Sequence, residues 1–426
     1  MNSIFRENNL IYFLVFIAVI TGFIIIDDYG IGIEEHFQRK SGFFWLNYLF
    51  NLTEFEFLKN QILEKINEIK QFTPNLYPIE KVPYYGVIFD LPLALIETLL
   101  KIDEPIDYFL LRHKIIFLFF LLSAFLFYKI ILFRFCNTYL ALFGFLIFIF
   151  SPRIFGNIFF DNKDILFLSF LTINFFYFQK YYKNKSFRNL ILVSLICSIC
   201  TSTRIIGILL PLSFTILLLL EYLSDNNHKK FIKNFVVFLS FYIFFLFIHW
   251  PYLWTLSLSD WFNFFTPFFQ AMNPTVYFDG QYYQSKFLPL NYLPKWIILT
   301  TPIYILFFFL IGFYKNFKRL LFRFVSINYE KKFFTFDLWR SSNEKFDLLV
   351  FLNLFLIMLL YISVKLALLS GWRHFYFVNF FIIYYSCFSI YSMIFSLKNK
   401  DNFKRIFSFI LILLLSIQIY DIFKLH

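Results

Sequence analysis

The chain has 426 residues, 60% of them hydrophobic and 25% aromatic, with a mean hydropathy of +0.67. A soluble chain is roughly half apolar, so most of this apolar surface must meet lipid or other membrane helices. The 39 basic and 27 acidic residues leave a net charge of +12, but the bases sit in short segments between apolar runs and form no stripe on a hydrated domain, which argues against nucleic-acid binding.

The first apolar run, residues 11–26, has no small-residue cleavage site and reads as a first span, not a removable signal. Asp27-Asp28-Tyr29-Gly30 follows at once, then Glu34-Glu35-His36-Phe37-Gln38-Arg39. Carboxylates gathered at the exit of a membrane helix repel one another, so one is raised in pKa or a pair takes up a cation. That suits a general base or a metal site, and the competing reading is hydrated interfacial charge. Further along, Leu52, Phe55, Leu58, Ile62, Ile66 and Ile69 recur at steps of three and four. This predicts an amphipathic helix lying flat on the outer membrane surface. Residues 87–100, with Asp90, Pro92 and Glu97, are too short and polar to span and read as interfacial.

Windows long enough to cross a bilayer fall near 9–26, 115–135, 139–154, 164–180, 189–203, 205–223, 232–250, 294–314, 346–366, 374–396 and 405–423. The expectation is an all-α polytopic membrane protein with about eleven transmembrane helices. Residues 1–426 form one membrane domain, with juxtamembrane helices in a large first outer loop, 27–114, and a second long outer loop, 250–293. The second loop is rich in Trp, Tyr, Phe and Pro and is predicted to hug the interface as an aromatic belt.

With the N-terminus cytoplasmic, the inner linkers hold Arg134, the group Lys180, Lys183, Lys185 and Arg188, and the basic stretch from Lys315 to Lys345. The outer linkers hold only scattered bases, among them Arg153, Lys163, Arg204 and Arg373. This asymmetry sets the orientation. It puts a second acidic group on the outer side, in "SPRIFGNIFFDNKD", where Pro152 and Gly156 break the helix and Asp161, Lys163 and Asp164 open the next span. Asp164 there either caps the helix or serves chemistry. Arg204 and the pair Arg373-His374, in "GWRHFYF", stand at the same rim, as phosphate-holding groups or as snorkelling anchors. Cys136, Cys197, Cys200 and Cys387 lie in or beside apolar spans and indicate neither a disulfide framework nor a zinc site. His36, His113 and His374 do not have metal-ligand spacing.

An acidic group after the first span, a large outer loop with juxtamembrane helices, a second acid in "SPRIFGNIFFDNKD" and a late "GWRHFYF" give the chain a family likeness. It resembles the C-type glycosyltransferase superfamily, bacterial membrane enzymes similar to dolichyl-phosphate-mannose protein mannosyltransferases and lipid A aminoarabinose transferases. The resemblance implies transfer of a sugar from a polyprenyl-phosphate carrier to a glycan, lipid or protein acceptor on the non-cytoplasmic face. It implies a bacterial cytoplasmic (inner) membrane, with the active site facing the periplasm. Glu34 and Glu35 match the family's first-loop acidic pair, with Asp28 the alternative; the family usually has Asp-Glu where this chain has Glu-Glu. Asp164 matches the second acid, flanked by Asp161 and Lys163, and Arg204, Arg373 and His374 are the candidates for the carrier phosphate. The resemblance names no certain cofactor and leaves a divalent cation open.

The rival reading is a transporter or flippase of lipid-linked sugars. Such proteins tend to place ionisable residues at mid-membrane in broken helices of two related halves. The charges here are at the rim, and the sequence has no evident internal repeat.

Overall fold

Within a bilayer every backbone polar group has to be satisfied inside its own segment, and apolar runs of this length do so as helices. The computed structural model describes residues 2–32, 34–53, 56–72, 84–224, 228–257, 259–260, 263–264, 268, 273–325, 338–364, 366–397 and 400–425. Helix α1 covers Asn2–Ile25 and ends in a 3-10 turn, Ile26–Asp28. Three helices of the first loop follow: α2, Glu35–Asn51, α3, Glu56–Phe72, and α4, Asp90–Leu99. The bundle continues with α5, Pro105–Phe135, α6, Thr138–Ile149, the single turn α7, Pro152–Phe155, α8, Asp164–Lys183, and α9, Phe187–Thr203. After a 3-10 turn, Ile205–Ile208, come α10, Leu209–Ser224, and α11, His228–His249. The last part holds α12, Tyr292–Thr300, α13, Ile303–Val325, α14, Ser342–Ser363, α15, Val378–Ser396, and α16, Asp401–Leu425.

Among the described residues seven helices are long and apolar enough to cross a membrane, those of α1, α5, α10, α11, α14, α15 and α16. The protein is therefore an all-α membrane protein in its main architecture, and four of the expected windows fall outside this set. The window 139–154 ends early, at Ile149, and 189–203 is a helix of 17 residues. The window 294–314 is broken at Thr301-Pro302, since proline supplies no backbone donor to continue α12. Helix α8 has 20 residues, about 30 Å by helix rise. It carries Asn174, Gln179 and Lys180, and it is packed inside protein along nearly its whole length.

Helix α8 lies at the centre, against α5 and α9, and α13 runs tightly along α15. That tightness depends on Gly312, where an added Cβ would lie 1.9 Å from the Tyr385 carbonyl oxygen. At the end of α8 away from Asp164, Lys183 donates to the Phe133 carbonyl of α5. Next to it Arg134 grips the fully buried Asp347 through two 2.7 Å hydrogen bonds. Arg319 and the Tyr384 hydroxyl donate to the same carboxylate at 2.8 and 2.6 Å. This network ties α5, α13, α14 and α15 together at one end of the bundle.

The first loop departs from its predicted surface layout. The apolar face of α3 is buried on protein, with Ile62, Ile66 and Ile69 packed on Phe43 and Leu46 of α2 and Ala94 of α4. Phe55 lies outside the described residues. The second loop holds an antiparallel hairpin, Thr275–Phe278 with Gln281–Gln284. Its turn residues Asp279 and Gly280 both have positive φ, 53° and 83°, as a two-residue type I′ hairpin turn requires.

Candidate active site

The loop between α6 and α8 is pinned by side chains. The Ser151 hydroxyl donates to Asn379 Oδ1 at 3.2 Å, and Asn157 Nδ2 donates to the Arg153 carbonyl at 2.9 Å. Arg153 reaches the Ser370 carbonyl at 3.0 Å. At the loop's end Asp161 Oδ1 accepts from the backbone N–H of Asp164 at 3.0 Å and of Lys163 at 3.4 Å. Asp161 thus satisfies the Lys163 and Asp164 donors at the start of α8. The capping role considered for Asp164 belongs to Asp161, which leaves the Asp164 carboxylate available to the arginines.

Two arginines meet Asp164 from different parts of the chain. Arg204 stands in extended backbone between α9 and the 3-10 turn after it, and it forms an ion pair with Asp164 Oδ1. Arg373 opens a 3-10 turn, Arg373–Phe375, and its Nε lies 3.3 Å from Asp164 Oδ2. Ser370 and Gly371 carry positive φ angles of 54° and 72° just before it. Trp372 Nε1 donates to Thr300 Oγ1 at 2.8 Å, and Gly371 N–H to the Tyr292 hydroxyl at 3.2 Å. The irregular backbone of "GWRHF" is therefore anchored to α12, which aims Arg373 at the acids.

Arg373 also pairs with Glu34, the residue just before α2. Side-chain exposure is 2% at Asp164, 14% at Arg204, 16% at Arg373 and 35% at Glu34, so the cluster has a floor at Asp164 and a mouth at Glu34. Lys163 joins from above the Tyr85 ring, its Nζ 3.1 Å from the ring centre. Glu34, Asp161 and Asp164 are thus set against Lys163, Arg204 and Arg373. Buried polar atoms nearly always have hydrogen-bond partners. Both Asp164 oxygens, Asp161 Oδ2, Arg204 Nε and Arg373 Nε nevertheless lack well-aligned ones among the described residues.

Burial works to raise the Glu34 carboxyl, but Arg373, Lys163 and Arg204 together hold it below its ordinary value. Asp161 is raised by burial, which Arg373 and Arg204 offset only in part. Burial, then the charges of Arg204 and Arg373, press His374 down to about 3, so its ring is neutral near pH 7. His374 and Arg204 line a cavity of about 240 Å3 whose remaining wall is mostly apolar, with Ile205, Leu209, Leu360 and Leu368 in it.

The cluster therefore unites Glu34, Asp161, Lys163, Asp164, Arg204 and Arg373, with His374 at its edge. Two other candidates are placed elsewhere. Asp28 is exposed at the end of α1 and forms no ion pair among the described residues. Glu35 is 1% exposed and turned the other way, accepting from Gly32 N–H at 2.6 Å and bonded to His113 Nε2 at 2.9 Å.

Sequence reasoning missed three features. The first is Tyr85. The second is the strand of chain that holds it: Gly86 N–H donates to the Ser202 carbonyl at 2.8 Å, Val87 N–H to the His249 carbonyl at 3.2 Å, and Trp250 Nε1 to the Tyr84 carbonyl at 2.8 Å. An added Cβ at Gly86 would lie 2.4 Å from Ser202 Cβ, so this close approach requires glycine. The third is a buried ionic network beneath α2 and α4. Arg39 Nε donates to both oxygens of Glu97 at 3.0 and 3.2 Å, and Arg112 stands 3.5 Å from both Glu97 and Asp90. Arg112-His113, at the edge of an apolar run, was the available signal for it. Among the described residues no three His, Cys, Asp or Glu side chains are grouped as metal ligands would be.

No family model matches the chain, and a search of curated proteins gave no match.

Proposed function

We propose that the protein is a membrane glycosyltransferase that moves a sugar from a polyprenyl-phosphate carrier to an acceptor on the non-cytoplasmic face. The observation that carries this reading is one juxtaposition. A mostly apolar cavity has Arg204 and His374 in its wall, and Arg204 is ion-paired to Asp164 within the acid–arginine cluster. An isoprenoid chain suits the apolar part, and a phosphate suits guanidinium groups at its head. On this reading the four remaining windows are crossings as well, as α6, α8, α9 and α13, to give about eleven in all.

In the described state Arg373 is shared by Glu34 and Asp164. A donor phosphate arriving at the arginines competes with Glu34 for Arg373. Release from that pair returns the Glu34 carboxylate toward its ordinary basicity, so it becomes a better acceptor for the proton of an attacking hydroxyl. The bond between the anomeric carbon and the phosphate oxygen breaks as the acceptor oxygen bonds to that carbon. The arginines stabilise the departing phosphate.

The reading is tested by deleting the gene and comparing envelope glycans by mass spectrometry. One sugar should vanish, return with the wild-type protein and stay missing with Glu34→Gln. An unchanged glycan profile, with tracer uptake by proteoliposomes and no covalent change of the tracer, would instead establish the transporter reading.

A further inference from the structure

The ring of Tyr85 is a wall between two spaces. On one side is the mostly apolar cavity lined by Arg204 and His374. On the other is a chamber of about 20 Å3, whose wall includes Gln38, Asp90, Asn162, Lys163 and Thr203. A site needs roughly 10–15 Å3 of such volume to admit one water, so the chamber at rest has room for one water and nothing larger.

Its wall is unusually demanding. Asp90 is 7% exposed and Asn162 is 5% exposed. Asp90 Oδ1 and Asn162 Nδ2 nevertheless have no hydrogen-bond partner among the described residues. Arg112 Nη1 is 3.5 Å from that Asp90 oxygen, close enough to attract it but beyond a good hydrogen bond. A buried carboxylate held only by the long Arg112 ion pair and a buried amide whose nitrogen makes no hydrogen bond among the described residues therefore belong to residues that line one space, with an ammonium group and an aromatic ring beside them.

These groups select a ligand class. A phosphate placed there would face the Asp90 carboxylate, and a single carboxylate is a poor ligand set for a divalent cation. A hydrocarbon would leave the donor and the acceptor unpaired at a cost. A polyhydroxylated ring fits all of them, since each hydroxyl can both donate and accept and the ring's C–H face can lie on an aromatic side chain. The backbone around Tyr85 is held on both sides, by Gly86 to Ser202 and by Tyr84 to Trp250, while its ring meets Lys163 and Phe268 through ring faces and edges. That side chain lines both spaces, so turning it aside is the move that would join them.

We propose that this chamber, opened when the Tyr85 ring turns aside, is the subsite for the sugar of the glycosyl donor, with Asn162 and Asp90 reading its hydroxyls. The proposal rests on the glycosyltransferase reading and adds the residues that choose the sugar. Its test uses the full chain in lipid nanodiscs. The probes are undecaprenyl phosphate alone and undecaprenyl phosphate carrying mannose, glucose, galactose or 4-amino-4-deoxyarabinose, with binding followed by native mass spectrometry. The wild type should hold at least one sugar-bearing carrier more tightly than the bare one. Asn162→Ala, and Asn162→Leu as a variant of similar shape, should reduce that advantage about tenfold, as expected for one lost buried hydrogen bond, and leave bare-carrier binding unchanged. Retention of the full sugar advantage in both variants, or an equal loss for the bare carrier, overturns the subsite. So does a wild type that binds the carrier but prefers no sugar. A wild type that binds no polyprenyl phosphate at all overturns the functional reading and the subsite with it.

Discussion

Replacing each of the neighbouring glutamates by glutamine should give opposite phenotypes, and the magnitudes follow from their surroundings. Glu34 is 35% exposed and paired with Arg373 at the mouth of the cluster. An ion pair that open to solvent contributes about 0–1 kcal/mol to stability, and Arg373 keeps Asp164 as a partner after the change. Glu34→Gln should therefore melt close to wild type. If Glu34 takes the proton of the acceptor, the same change should lower transfer by about 10²–10⁴-fold, or about 3–5 kcal/mol on the barrier.

Glu35 presents the reverse case. It is 1% exposed, bonded to His113 and to the Gly32 N–H, and buried hydrogen bonds to a charged group are worth about 1.5–3 kcal/mol each. Glu35→Gln should lose about 2 kcal/mol of stability and keep most of its specific activity per folded molecule. The assay pairs fluorescence-detected thermal unfolding in detergent with single-turnover transfer of radiolabelled sugar, normalised to monodisperse protein. Loss of transfer in Glu35→Gln at an unchanged melting temperature would refute this division of roles. So would full transfer in Glu34→Gln.

Three further outcomes follow from the same geometry. Asp164→Asn leaves Arg204 and Arg373 without their shared buried counter-charge and should cost about 3–5 kcal/mol; thermal unfolding would show it, and a melting temperature equal to that of Glu34→Gln would contradict it. Gly86→Ala forces its new methyl against Ser202, so the Tyr85 ring should shift from Lys163 and transfer should fall while the bundle still folds, as read by size-exclusion profile and activity together. His374 is pressed below its ordinary value of 6.5 in the folded protein, so between about 3 and 6.5 the unfolded chain binds a proton that the native one does not, and stability falls as pH falls through that range. His374→Gln should lose less stability than wild type between pH 6.5 and pH 4; an identical acid loss would show that His374 does not titrate in this way.

How far the sequence could be read depended on the distance over which each cause acts. The long apolar runs of α1, α5, α10, α11, α14, α15 and α16 needed only local composition, and they were legible. The acids Asp161 and Asp164 and the rim arginines were legible as charges at the same side of a membrane. Their partition was not. Glu34 and Glu35 are adjacent, and successive helix residues point about 100° apart, so whichever residue starts α2 decides which one faces Arg373 and which one faces His113. That start is fixed by contacts 78 and 339 residues away in sequence, which no local pattern encodes. The same holds for Arg39 and Glu97, 58 residues apart. Each resembles a solvated charge on an amphipathic face until α2 and α4 are packed over Arg112. Tyr85 is the extreme case, because nothing in its own type or spacing sets it apart from the other tyrosines. Its position depends on a glycine that lets the chain touch Ser202. The hairpin differs again. Asp279-Gly280 between two short β-prone stretches is a turn signal present in the sequence, and the aromatic-rich setting obscured it. The residues hardest to read are therefore those whose role is set by where a partner helix lies, and in this chain they surround the Asp164 floor.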